Sequence, residues 1–165
     1  MLFRLIEHRQ YLEFAASMLQ KEVAARLTAA VGAKSYGVLS VLLGSCATIE
    51  KLLELGPGQF HPRPKVDSTV VRITFYPAPD LLSGLPDFDY STLKTIVNSA
   101  FQQRRKTLLN ALSSGKILDS DKKQVRLLLE ECVLAPDIRA ERLSVLDYIR
   151  LANLLNSKKR QGVTG

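Results

Sequence analysis

The apolar positions change their period along the chain. Leu2, Leu5, Ile6, Arg9 and Leu12 recur at three- and four-residue spacing and predict a helix over 1–14. Phe14 to Gln20 is a short, mostly apolar run with the look of a buried strand. Lys21 to Ala30 returns to a helical period, with Val23, Ala24, Leu27 and Ala30 on one side, and Gly32 and the Lys34–Gly37 stretch end it. A helix rich in small residues is expected from Val38 to Cys46. Ala47 to Leu55 then alternates through Ile49, Lys51, Leu53 and Leu55 as a half-buried strand does. The clearest strand is Lys65 to Tyr76, where Val71, Ile73 and Phe75 point one way and Val70, Arg72, Thr74 and Tyr76 the other. After the turn-forming linker Pro77–Asp89 the pattern is helical throughout, over Ser91–Leu112, Asp121–Val133 and Ser144–Asn156. Ser144 and Asp147 have the spacing of a capping box, and the polar tail from Ser157 is expected to fray.

This order of elements predicts an α+β chain in two units, 1–89 and 90–157, with a flexible basic tail over 158–165. Composition agrees: 46% apolar and 24% charged residues over 165 positions suit a folded soluble protein. Charge changes the picture more. Of the net +7, none falls in residues 1–89, which carry nine basic and nine acidic side chains; residues 90–165 carry fourteen and seven. The second unit is therefore expected to face a polyanion. The longest largely apolar stretch, Val38 to Leu43, is far short of the ~20 residues that span a bilayer. Met1 opens an amphipathic segment without the apolar core of a secretory signal, so a cytoplasmic location is expected. Cys46 and Cys132 are read as free buried thiols, and the isolated His8 and His61 give no metal site.

Two stretches carry candidate chemistry. In the helix from Ser91, the run Gln102-Gln-Arg-Arg-Lys106 interrupts the stripe of Leu93, Val97, Ala100, Leu108 and Ala111. Arg104 falls on that apolar face, while Arg105 and Lys106 turn toward water. A solvated charge run explains the latter two but not Arg104, which must pair, snorkel or edge an interface. With the charge asymmetry this points to nucleic-acid backbone binding, which Arg139, Arg142 and Arg150 extend. The second stretch is the stiff loop Gly56–Pro64, whose prolines fix Phe60 and Arg63 between two predicted strands. Such a ring can stack on a base or plug the core under the turn, and spacing alone favours the plug. His61 reads as an exposed turn residue.

Five segments in order resemble one family. Met18-Leu-Gln-Lys-Glu-Val-Ala-Ala-Arg26, Tyr36-Gly-Val-Leu-Ser40, Phe60-His-Pro-Arg-Pro-Lys-Val-Asp-Ser68, Phe101-Gln-Gln-Arg-Arg-Lys-Thr-Leu108 and Arg139-Ala-Glu-Arg-Leu-Ser144 are similar to the small-subunit rRNA adenine dimethyltransferases. The resemblance implies transfer of methyl groups from S-adenosylmethionine to N6 of two adjacent adenosines near the 3′ end of that RNA. It implies that Phe60 stacks on the target base, which reverses the core-plug preference. It places Arg63 and Lys65 beside the nucleotide backbone. Arg104, Arg105 and Lys106, with Arg139 and Arg142, become contacts to rRNA in the immature small ribosomal subunit. The macrolide-resistance methyltransferases of large-subunit rRNA share the Phe60 loop and remain an alternative, as does a non-catalytic RNA-binding assembly module. A purely structural interaction domain would bind no RNA at all.

Two of the family's parts are not found. Its glycine-rich cofactor turn leads from a strand into a helix, whereas the one Gly-x-Gly here, Gly56-Pro-Gly58, leads toward another strand. Its Asn-Leu-Pro-Tyr-type tetrapeptide is missing too, and by register would lie upstream of Met1. The expectation is thus the C-terminal portion of the enzyme: the last strands and helices of a Rossmann-like methyltransferase sheet, then a small all-helical domain. No S-adenosylmethionine is expected to bind this portion, which is expected to be inactive alone. Its exposed sheet edge is expected to favour self-association.

Overall fold

The computed structural model describes residues 1–76, 86–115, 117 and 121–162. Most of the linker expected at Pro77–Asp89 lies outside the described residues. A three-stranded sheet of β1 (Phe14–Gln20), β2 (Ala47–Leu55) and β3 (Ser68–Phe75) has the order β1-β3-β2. β3 runs antiparallel to both neighbours, so β1 and β2 are parallel to each other. The alternation read for β3 is the one observed: Val71, Ile73 and Phe75 are buried, and Arg72 is exposed. They join Ala24 and Leu27 of α2 (Lys21–Leu27) and Val41 to Leu43 of α3 (Val38–Gly44) in the core. The opposite sheet face is open. Phe14 and Met18 are 50% and 53% exposed there, and Arg72 stacks over the Phe14 ring at 4.8 Å.

Several boundaries differ from the sequence pattern, each for a local reason. The first helix, α1, is only Leu2–Glu7, followed by a 3-10 turn at Arg9–Tyr11. His8 Nδ1 lies 2.9 Å from Arg4 O, Arg9 donates to Ile6 O at 3.0 Å, and both satisfy carbonyls at the helix end. In β2 a bulge between Lys51 and Leu53 shifts the register. Leu53 therefore pairs with Val70 on the open face instead of continuing the Ile49 side.

The helix expected over 91–112 is two helices, α4 (Tyr90–Gln102) and α5 (Leu108–Ser114). Thr107 takes an extended conformation and its side chain caps α5, while Leu108 N donates to Ile138 O at 2.7 Å. Asp89 caps α4 by accepting from Thr92 N at 2.8 Å, and these hydrogen bonds hold its carboxyl below the usual range. α6 (Lys122–Glu131) follows, and α7 spans Val145–Gly162. The tail read as frayed is thus helical through 162: Lys158 pairs with Glu131, and Lys159 and Arg160 suit the C-terminal end of a helix. Ser144 and Asp147 form the expected capping box, with Ser144 N donating to Asp147 Oδ2 at 2.9 Å and Asp147 N to Ser144 Oγ at 3.2 Å. The core is continuous across the two sequence units, running from Ile73 through Tyr36 and Phe101 to Tyr148.

Candidate nucleic-acid interface

Because β1 and β2 are parallel, both end at the edge where β3 begins: Gln20 and Leu55 each pair with Ser68. In sheets with parallel strands this carboxyl edge is the place where ligands bind. The Phe60 loop leaves β2 at that edge. Its first turn is a 3-10 helix, Pro57–Gln59, and the His61–Pro62 peptide is cis. Lys21, at the start of α2, fixes the loop's return. Its Nζ lies 3.2 Å from Glu54 and 3.4 Å from Asp67, and its backbone N–H donates to Asp67 O at 2.9 Å. Hydrogen bonds to the two carboxylates, Glu54 first, raise the Lys21 pKa.

On this frame Phe60 is half-buried, and His61, Arg63 and Lys65 are exposed. Phe60 belongs neither to the buried core nor to the partly buried side chains packed on it. The core-plug reading is therefore overturned. Lys65 and Val66 border an open groove of about 480 Å³ that also reaches Lys21, Glu22 and Ala25.

The basic run sits in the turn between α4 and α5, not on a helix face. Arg104 Nη2 donates to Lys34 O at 3.0 Å and Tyr36 O at 3.2 Å, and lies 3.3 Å from Glu141 Oε2. Of the three alternatives open to Arg104, pairing, snorkelling or edging an interface, the structure shows pairing, with partners from distant segments. Arg105 and Lys106 are exposed. Glu141 belongs to a 3-10 turn, Ala140–Arg142, preceded by Arg139. Arg139 and Arg142, both exposed, thus flank the Glu141 that Arg104 reaches. Arg150 is exposed on α7.

A second groove, of about 610 Å³, lies beside Arg104 and is lined by Arg26, Lys34, Tyr36 and Phe101. It shares Glu22 and Ala25 with the groove at Lys65, so the two grooves border the same stretch of α2. Arg26 and Lys34 went unnoticed in the sequence. The signal for Arg26 was available: Glu22 and Arg26 are four apart on a helix and do pair. Among the described residues, no three His, Cys, Asp or Glu side chains converge as a metal site, and no helix is long and apolar enough to cross a membrane. Cys46 and Cys132 are free; Cys46 is buried, and burial pushes its thiol up to about 11.

A sequence model of the family described as ribosomal RNA adenine dimethylase matches residues 1–157. The chain is 41% identical over 165 residues to ribosomal RNA small subunit methyltransferase A of Desulfotalea psychrophila, covering 96% of this chain and 55% of that protein. It is 39% identical to the protein of the same name from Anaplasma marginale, covering 100% of this chain and 57% of the other. The chain therefore spans about half the length of the curated relatives it matches. Among solved structures, a dimethyladenosine transferase from Plasmodium falciparum superposes with a TM-score of 0.79 at 24% identity, over 96% of this chain and 62% of that one. The 23S rRNA methyltransferase ErmE gives 0.56 at 19% identity, over 87% of this chain and 55% of the other. At these identities the two structures speak for the fold.

Proposed function

Since the chain belongs to the ribosomal RNA adenine dimethylase family, we propose that it holds the target base and docks the RNA for dimethylation of two adjacent adenosines in small-subunit rRNA. The observation that carries this reading is the placement of the Phe60 loop at the carboxyl edge of β1 and β2, with grooves bordering α2 beside Lys65 and beside Arg104. Residues 1–89 serve as the latter part of a Rossmann-like catalytic domain, and 90–157 as the RNA-docking domain. The relatives near 40% identity favour the small-subunit RNA over the large-subunit alternative.

Adenine N6 is a poor nucleophile because its lone pair is delocalised into the ring. A base must therefore be held flat and aimed before methyl transfer. Phe60 supplies a face for that stacking at the carboxyl edge of the sheet, and Arg63 and Lys65 lie near enough along the loop to meet the adjoining phosphates. S-adenosylmethionine is the methyl donor of the family. Gly56-Pro57-Gly58 leads from β2 into a 3-10 turn and not into a helix, so it does not form the cofactor's cradle. What this chain contributes is the hold on base and backbone.

The test is a titration of an rRNA 3′-end hairpin with the chain across salt concentrations. Arg105→Gln and Lys106→Gln are each expected to flatten the salt dependence by about 0.7–0.9 in log–log slope, the loss of one phosphate contact on the loop or the stem. Slopes identical to the wild type would remove the docking role. With S-adenosylmethionine added, the chain alone is expected to leave the RNA unmethylated; incorporation of methyl groups would overturn that part.

The open sheet face is a further expectation of the same reading. The outer edge of β1 is unpaired among the described residues, beside the exposed Phe14 and Met18. Self-association through this edge is proposed for the isolated chain. Light scattering at high concentration should show mass above the monomer, and Met18→Lys should reduce it. A strictly monomeric wild type counts against the idea.

A further inference from the structure

The three cations of the basic turn are not equivalent. All three are exposed, but Arg104 also shares one guanidinium nitrogen among Lys34 O, Tyr36 O and Glu141 Oε2. These oxygens belong to two separate segments, the loop after α2 and the 3-10 turn at Ala140–Arg142. The same two segments meet twice more. Gly32 N donates to Glu141 O at 2.8 Å, from a left-handed backbone (φ +84°) that favours glycine, and the Tyr36 hydroxyl donates to Leu143 O at 2.9 Å. At the other end of α2, Lys21 is tied to Asp67 on the return of the Phe60 loop. A connected path thus runs from that loop through Asp67, Lys21 and α2 to Lys34, Tyr36 and Arg104.

We infer that Arg104 is a positioning residue: it locks the basic turn to the loop between α2 and α3 and to the 3-10 turn at Ala140–Arg142, and so sets where Arg105 and Lys106 stand relative to Phe60. Arginine's length is what the geometry requires: all three oxygens are met by Nη2, which stands one bond farther along the side chain than a lysine Nζ, so an ammonium falls about one bond length short of them. The effect on RNA rests on the docking reading given above for Arg105 and Lys106, but the lock itself does not.

The test therefore has two arms. In amide hydrogen exchange on the free chain, Arg104→Gln, Arg104→Lys and Glu141→Ala are each expected to speed exchange at Gly32 and Tyr36 by about threefold or more, leaving Val71 and Ile73 in β3 unchanged. In hairpin titrations both Arg104 variants should weaken binding by a similar factor, about 3- to 10-fold, with the wild-type salt slope. Glu141→Ala should weaken it too, although removing an acid makes the chain more positive and a simple attraction would then tighten it. Two results overturn the inference: exchange at Gly32 and Tyr36 that does not move, or an Arg104→Lys variant that matches the wild type while Arg104→Gln loses slope as Arg105→Gln does. A wild-type chain that binds no RNA would end the docking reading and leave the exchange arm to decide the lock. Should Arg104→Gln fail to fold, Arg104→Lys and Glu141→Ala still separate the two cases.

Discussion

Phe60→Ala is expected to weaken binding of single-stranded, adenine-containing rRNA by about 1–3 kcal/mol, roughly fivefold to 150-fold, the worth of one base stacked on one aromatic ring. Phe60 is half-buried and stands outside the core, on a loop that leaves β2 at the carboxyl edge of the sheet, the place proposed above for the target base. Fluorescence anisotropy with a short labelled strand measures the loss. Phe60→Trp should bind at least as well, since a larger ring keeps the stacking face, while Phe60→Leu should fall close to the alanine variant. Leucine equal to phenylalanine would mean a general apolar contact and not a stack. Thermal unfolding provides the second check: a ring outside the core should leave the midpoint almost unchanged, and a drop of many degrees would return Phe60 to a structural role.

The largest loss of stability is expected at Tyr148. Its side chain is fully buried, its hydroxyl donates to Ala140 O at 2.8 Å, and its ring lies 6.1 Å from Phe101, which in turn meets Tyr36 edge-on at 6.2 Å. Tyr148→Ala should cost about 3–5 kcal/mol in denaturant unfolding, from the cavity and the lost contacts together. Tyr148→Phe keeps the ring and removes one of two donors to Ala140 O, which still accepts from Leu143 N at 3.3 Å, and should cost about 0.5–1.5 kcal/mol. The same cluster makes the protein sensitive to alkali. Burial raises the phenols of Tyr148 and Tyr36, the latter to about 12. A raised folded pKa means that the unfolded chain ionises first. The stabilisation is therefore complete below pH ~10, the ordinary phenol value, and is lost as pH climbs through the folded values. Denaturant midpoints at pH 8 and pH 11 should differ in that direction, and Tyr148→Phe should narrow the gap.

How far the sequence could be read depended on how local each signal was. The alternation in β3 and the Ser144–Asp147 capping box are written within a few neighbouring residues, and both are found as read. The break between α4 and α5 was hidden by arithmetic. Val97 and Leu108 are eleven residues apart, about three helical turns, so they share a face whether the helix is continuous or broken. Thr107, a good N-cap, was the available hint. Arg104 was legible as a cation needing a partner, but its carbonyl acceptors at Lys34 and Tyr36 are some seventy residues away in the chain. The Leu52 region looked like an alternating strand because a bulge adds one residue without changing composition. Phe60 was visible as a ring on a stiff loop. Its place at the carboxyl edge follows only once the strand order is known.

The strand order also dictates when the sheet can assemble. β3 is the central strand and the last of the three to be synthesised, and β1 and β2 share no hydrogen bonds with each other. While the chain is growing, neither β1 nor β2 can pair with β3 until Ser68 to Phe75 has emerged. β2 then has only the Phe60 loop to close, whereas β1 must close a much longer one, and the entropy of closure rises with that length. The β2–β3 ladder is accordingly the natural first step of refolding, with Phe14–Gln20 added to a hairpin already formed. Pulse-labelled exchange during refolding should find the β1 amides protected after those β3 gives to β2; the reverse order would contradict this account.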